Sequence, residues 1–509
     1  MNIKRTVELV LLVIGWALIS AGMILFQIVN YEIFKRPAAI ITVFSLVLGA
    51  FALGIAVYAK KITFKKTVQV ANIIMIVLLT ISFVLMILFT LIISMFQPLA
   101  LSTASYIIMI VGFVFTILSA LIGFILKSKS YLPIVSSVAL ILLMLSGITW
   151  AKTQNYATFN NIENRDNIFL FENGEAGYFT FRIPSLVTLD MDTLNNNGFK
   201  LKHDVLLATA EARKNSSRDE GKIDLVGKIS SDNGKTWSKA FVILTSADTL
   251  GKVGNPTPVF DKTTCKLNMV YITATKASGY NYSTYNIQGT LLPDFSFSWG
   301  EPILIDGQKI LKESATLINK QLMVGPGKAV QLTSGRLVVP CSNSGKSFAL
   351  YSDDHGLTWE RGGDAADGNE CDIVELRNGH LMMVSRANTG CSDYHNKQYQ
   401  RFSYSSDFGQ SWYIKQQNSD LKTPICMSSL NKLSTGTIII SYPDCFLTRA
   451  NLSYGSSSDG GKTFNSNFLY DGPAGYSCLA ITSQNSVFIL AEVGKVNYNE
   501  ALVLLKVNI

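Results

Sequence analysis

Residues able to do chemistry are scattered along this 509-residue chain, and the clustered ones fail the spacing tests for common chemistries. Seven Cys (265, 341, 371, 391, 426, 445 and 478) include no Cys-x-x-Cys pair, and four His are dispersed. That pattern argues against a zinc centre, and no metal and no cofactor are expected. An odd count leaves at least one thiol free; buried free thiols are expected, with one or two disulfides open if the domain is extracellular. Acids do recur at fixed spacing, in four copies of Ser-x-Asp-x-Gly-x-[Thr/Ser]-[Trp/Phe]: Ser230–Trp237, Ser352–Trp359, Ser405–Trp412 and Ser457–Phe464. Their chemistry is that of a tight turn. Asp and Ser oxygens bond nearby amides, and Gly supplies a positive φ. These acids are expected to be turn formers on the rim with no part in catalysis.

The turns fix the elements that must position everything else. The last two intervals between copies are 53 and 52 residues, and the first is 122, room for two more units. A period near 50 means stacked or radial supersecondary units. Alternating apolar runs flank the turns (Leu225–Ile229, Phe348–Tyr351, Ile438–Tyr442), so each turn joins two strands, and its closing aromatic is expected to pack back onto the hairpin. Strand-rich units of this length predict an all-β, six-bladed propeller over residues 166–509. The turn missing between 237 and 352 has a candidate remnant at Phe295–Trp299.

Between the turns lie motifs that resemble the exo-sialidases (neuraminidases). Phe181-Arg182-Ile183-Pro184 resembles the family's Phe/Tyr-Arg-Ile-Pro signature, and the resemblance covers nearly all of residues 165–509. Ala210-Glu211-Ala212-Arg213, followed by Arg218-Asp219, is similar to the segment carrying the acid/base Asp. Gly254-Asn255-Pro256-Thr257-Pro258 and Gly325-Pro326-Gly327, leading into Gly335-Arg336-Leu337, match family strand starts. The resemblance implies an Arg triad of Arg182, Arg386 and Arg449, with Glu492 bracing the first. It implies Tyr476 as nucleophile, Glu370 as its base and Asp219 as general acid. Arg213 is expected to contact substrate hydroxyls.

The substrate class explains these residue types. Sialic acid carries a carboxylate on its anomeric carbon, and guanidinium groups hold a carboxylate in a planar, charge-assisted geometry that Lys does not reproduce. A carboxylate nucleophile would meet that negative charge; a neutral Tyr avoids it. Tyr has a pKa of about 10 and so requires a base. An acid that protonates the leaving oxygen requires a pKa raised above ~4 by burial or a nearby negative charge, and Asp219 is expected to have one. The implied function is an exo-α-sialidase that retains configuration through a tyrosyl-enzyme intermediate, acting on sialylated glycoproteins, glycolipids or mucins. A trans-sialidase, intermolecular or intramolecular, uses the same residues, and a non-catalytic sialic-acid-binding adhesin is the remaining alternative.

The first 150 residues have another character. Five apolar runs (7–29, 38–59, 68–96, 104–126 and 132–150) each approach the ~20 residues that cross a bilayer, which predicts an all-α bundle of five transmembrane helices. The first run is too long for a signal-peptide core and is expected to be retained. Residues 1–152 carry 11 Lys/Arg against two acids, leaving 33 against 34 in the remainder. The overall +8 therefore belongs to the membrane-flanking loops and marks no nucleic-acid surface. Lys4, Arg5, Lys60, Lys61, Lys65, Lys66, Lys127 and Lys129 fall on one side when the N-terminus is cytoplasmic. The positive-inside rule then puts the C-terminal domain outside the cell, joined through a polar tether at 151–165 and anchored in membrane lipid.

Overall fold

The computed structural model describes residues 167–509, apart from 247–250, 276–280, 312–321, 344, 388–398, 446–447, 496 and 508. The five apolar runs and the tether lie outside the described residues; among the described residues no helix is long and apolar enough to cross a membrane.

The described residues are dominated by strands, and their antiparallel pairings resolve into six blades. The first is Thr180–Leu189, Val205–Arg213, Ile223–Ser230 and Phe241–Leu244. In the second, Lys252–Asp261, Lys266–Thr275 and Asn281–Leu291 share an edge made by Phe297–Trp299 and Ile303–Ile305. The third runs from Met323–Val324 and Val330–Gln331 through Leu337–Asn343 and Lys346–Ser352 into Glu360–Glu375. That long strand then turns inward and opens the fourth blade, with Leu381–Ala387, Tyr399–Ser405 and Ile414–Lys422. The fifth blade is Ser429–Lys432, Ile438–Pro443 and Ala450–Ser457, and Asn465–Ile481 passes from its outer edge to the inner position of the sixth. Val487–Val493 and Ala501–Val507 follow.

Ile168–Glu172, which precedes the first blade, pairs with Ala501–Val507 and supplies the sixth blade's outer strand. The ring is thus closed by the two ends of the domain. At the seam Thr188 Oγ1 donates to the Ile481 carbonyl at 3.2 Å, and Leu186 N lies 3.3 Å from Cys478 Sγ. Six cysteines lie among the described residues, and five of them are buried.

Each repeated turn behaves as its sequence predicts. Asp232 Oδ1 accepts from the amides of Lys235 and Thr236 at 3.0 and 2.9 Å, Ser230 Oγ accepts from Gly234 N at 3.0 Å, and Gly234 has φ 78°. The closing aromatic does more than fold back. Trp359 packs with Val259, Val270 and Ile272 of the second blade, and Phe464 stacks on Phe402 of the fourth at 5.9 Å. Each aromatic wedges its own blade against the one before it, so the repeat supplies the inter-blade core as well as the turn. The second blade has a reduced version, in which Asp294 Oδ1 accepts from Ser296 N at 3.0 Å before Phe297–Trp299 pairs back on Asn281–Leu291.

Register separates the turns from the candidate site. Arg182 aligns with Glu211, and Glu211 with Leu225; at the other end Leu206 aligns with Ser230. The turns therefore lie at the opposite end of the blades from Arg182.

Candidate active site

Four inner strands are irregular at the same level. Pairing slips between Arg182 and Ser185, Gly254 and Thr257, Gly368 and Cys371, and Ala474 and Ser477. A bulge breaks the alternation of a strand and re-aims a side chain. The slips hold Ile183-Pro184, Asn255-Pro256, Asn369-Glu370 and Gly475-Tyr476, with Ile183 and Asn255 at φ 57° and 51°. Four of the sequence motifs are thus bulges at one end of the ring.

Tyr476 is the hub. It is buried, and its hydroxyl lies 2.7 and 2.6 Å from the two Glu370 carboxylate oxygens. Arg386 Nη1 donates to that hydroxyl at 2.7 Å and also pairs with Glu370. The guanidinium carbons of Arg449 and Arg182 stand 4.9 and 5.7 Å from the Tyr476 ring centroid. Burial and the Glu370 charge push the phenol well above the ordinary tyrosine range, against the opposing pull of Arg386 and Arg449.

The three arginines are held differently. Arg182 Nε and Nη2 donate to both oxygens of Glu492 at 3.0 and 3.3 Å. Glu492 is fully buried and also accepts from the amides of Ile183 and Tyr476. Gly475 makes this approach possible, since a Cβ there would lie 2.3 Å from Glu492 Oε2. Arg449 donates to the Ile425 carbonyl at 3.2 Å, and among the described residues no carboxylate pairs with it. Among the described residues Arg386 donates through Nη1 alone, to Glu370 and Tyr476. Two of the three guanidiniums therefore retain donors for an incoming anion.

Asp219 sits on the hairpin between the second and third strands of the first blade. Its side chain is 71% exposed, and Oδ1 accepts from Arg213 Nη2 at 2.7 Å and Arg182 Nη1 at 3.3 Å. Two expectations are corrected here. Partial burial does push this carboxyl upward, but Arg213 and Arg182 outweigh it and hold it below the ordinary carboxylate value, not above it. Arg213 is 1% exposed and bonds Glu211, the Ser217 carbonyl and Asp219, so it supports Asp219 from beneath and does not face a substrate.

The structure thus gathers Arg182, Asp219, Glu370, Arg386, Arg449, Tyr476 and Glu492 at one end of the ring, with Arg213 below them. It adds residues to which the sequence assigned no role. Glu211 is fully buried between Arg213, the Asn255 amide and Lys252. Alternation along the strand puts it on the same face as Arg213, a signal available in the sequence. The Tyr498 ring lies 5.2 Å from Arg182 and 5.1 Å from Arg449, and Cys426 and Met427 pack with Ile183 and Tyr476. Nothing in the sequence marked these. Arg182, Arg213, Arg386, Arg449 and Lys252 face Glu211, Asp219, Glu370 and Glu492, which leaves one net positive charge for an anionic ligand.

A family model described as a BNR repeat-like domain matches residues 204–489. Among curated proteins, a sialidase of Bacteroides fragilis (strain YCH46) is 28% identical over 375 residues, 65% of this chain and 63% of that protein. A sialidase of Paraclostridium sordellii is 26% identical over 284 residues, 52% of this chain and 63% of that one. Human Sialidase-4 is 28% identical over 239 residues, 41% of this chain and 46% of it. The matches thus span less than two thirds of these relatives' length. Among solved structures, the Hadza microbial sialidase Hz136 superposes with a TM-score of 0.55 at 23% identity, covering 67% of this chain and 68% of that one. The Ruminococcus gnavus intramolecular trans-sialidase with oseltamivir carboxylate gives 0.52 at 17% identity, covering 67% and 97%. At these identities the structural likeness speaks for the fold.

Proposed function

We infer that this chain, which belongs to the BNR repeat-like domain family, is an exo-α-sialidase that releases terminal sialic acid with retained configuration. The observation that carries this reading is the Tyr476 hydroxyl seated against both oxygens of Glu370, beneath arginines that keep free donors. The curated relatives named sialidase support the same substrate class.

In the proposed reaction Arg182, Arg386 and Arg449 bind the substrate carboxylate, which fixes the anomeric carbon over Tyr476. Glu370 takes the phenolic proton as the tyrosine oxygen attacks that carbon, and Asp219 gives a proton to the departing glycosidic oxygen. Water then attacks the same carbon, Asp219 takes its proton, and the tyrosine oxygen leaves and recovers its proton from Glu370. Two displacements at one carbon give retention. Arg386 stabilises the phenolate that forms and departs, since its Nη1 already touches that oxygen.

A lowered Asp219 pKa fits an acid role when the substrate changes its surroundings. Arg182 is shared between Asp219 and the site the substrate carboxylate would take. Binding withdraws one cation from Asp219 and brings an anion near it, and both effects raise its pKa.

The five apolar runs are proposed as a membrane anchor, with the propeller outside the cell and sialylated glycoproteins, glycolipids or mucins as its substrates. NMR of the products formed from an α-2,3-sialyl galactoside tests the reaction. Free α-sialic acid as first product is the expected result, and an unchanged substrate overturns the reading. A new sialoside or an anhydro sugar would assign the chain to sialyl transfer.

A further inference from the structure

Lys252 opens the inner strand of the second blade, where its backbone pairs in parallel with Ile223, the residue at which the Asp219 hairpin re-enters the first blade. Its side chain is 6% exposed, and an ammonium is costly to bury unless it is paired. Its contacts point across the blade boundary. Nζ donates to the backbone carbonyl of Asp219 at 3.3 Å and lies 3.9 Å from Glu211 Oε1. Nζ also sits 6.0 Å from the Tyr282 ring centroid.

Both polar contacts bear on Asp219. The first holds the backbone of the residue itself, in a hairpin whose residues 218–222 are exposed. The second shares out the charge of Glu211, the buried acid that also claims Arg213, on which Asp219 rests. Signs alternate along the line Lys252, Glu211, Arg213, Asp219, Arg182, Glu492. Without Lys252 a fully buried carboxylate is left to Arg213 and the Asn255 amide, and Arg213 is drawn from Asp219 towards Glu211.

We propose that Lys252 is a positioning residue for the Asp219 general acid: from the neighbouring blade it fixes the Asp219 backbone and, through Glu211, the Arg213 that carries its carboxylate. The proposal rests on the sialidase reading and adds a residue to it. It predicts a defect in proton delivery to the leaving group, not in carboxylate binding or in attack by Tyr476.

The test compares two substrates on the full chain. A sialyl galactoside has an alkoxide leaving group that requires the proton; a 4-nitrophenyl sialoside departs as a stabilised phenolate and does not. In Lys252→Met and Lys252→Gln, kcat/KM on the sialyl galactoside should fall about tenfold, part of the 10²–10⁴ that a positioned acid supplies, while the nitrophenyl substrate changes by less than about twofold. Lys252→Arg, which keeps charge and donor, should keep the wild-type ratio of the two rates. Equal loss on both substrates, or no loss on either, overturns the proposal. Thermal melts select the variants compared; if Lys252→Met is unfolded at the assay temperature, the ratio for Lys252→Gln decides. A wild-type chain that turns over neither substrate would sink the sialidase reading instead, so the two failures are distinguishable.

Discussion

The Tyr476 hydroxyl and the Glu370 carboxylate are matched as a pair: the phenolic oxygen lies 2.7 Å from Oε1 and 2.6 Å from Oε2. They are 106 residues apart and come from the inner strands of the sixth and fourth blades. A buried phenol whose acidity is suppressed keeps its proton at rest, and here the acceptor for that proton is already in contact. The pair is inert until an electrophilic carbon arrives.

Replacing Tyr476 by Phe should abolish turnover of an aryl sialoside while leaving the melting curve close to wild type. Glu370→Gln should lower kcat by roughly 10²–10⁴, the range for loss of a positioned base. Undiminished turnover in the Tyr476 variant removes the nucleophile assignment.

Asp219 should make kcat/KM on an alkyl sialoside fall as pH rises, because kcat/KM reports the free enzyme and only the protonated acid serves. Arg213 and Arg182 depress that pKa, so the descending limb should lie in the acidic range. Arg213→Gln removes one cation, raises the pKa and should move the limb to higher pH. A limb that stays in place would show that another group is the acid.

Glu492 accepts from Arg182 and from two backbone amides while fully buried. Glu492→Gln leaves the buried Arg182 with only its 3.3 Å contact to the exposed Asp219, and breaking such a buried pair costs about 3–5 kcal/mol. Denaturant titration should show a lower midpoint, and KM should rise as Arg182 loses its orientation. A loss of kcat with an unchanged midpoint would contradict this.

The turn acids should affect stability alone. Slight burial opposes ionisation of Asp459, but bonds from Thr463, Ser457 and the Lys462 amide outweigh it and hold the carboxyl at about 2. Its stabilisation is therefore complete above the unfolded value of about 3.9 and is lost as pH falls towards 2. Asp459→Ala should cost ~1 kcal/mol per lost hydrogen bond at neutral pH and leave kcat/KM unchanged.

Protease treatment of intact cells should remove the propeller and its sialidase activity if the positive-inside reading is right. Full protection of the domain would place it on the cytoplasmic side.

Much of the ring was legible in the sequence because its signals are local. A Ser-x-Asp-x-Gly turn forms from residues within five positions of one another, as the Asp232 bonds to Ser230, Lys235 and Thr236 show. Those turns fixed the phase of the blades, and four of the motifs between them proved to be bulges on the inner strands. The candidate residues could therefore be named one by one without knowing who touches whom.

Only the tertiary structure decided their electrostatics. Arg182 meets Glu492 across 310 positions and Asp219 across 37, and no spacing rule encodes either contact. Asp219 looked like an acid with a raised pKa because its role demands one. Two guanidiniums close on it in three dimensions and reverse the sign. Arg213 looked like a substrate ligand because it lies close in sequence to Asp219; in the fold Glu211, Ser217 and Asp219 surround it. Lys252 carried no motif at all. Charge state depends on distance and burial, which the chain acquires only when the last blade closes against the first.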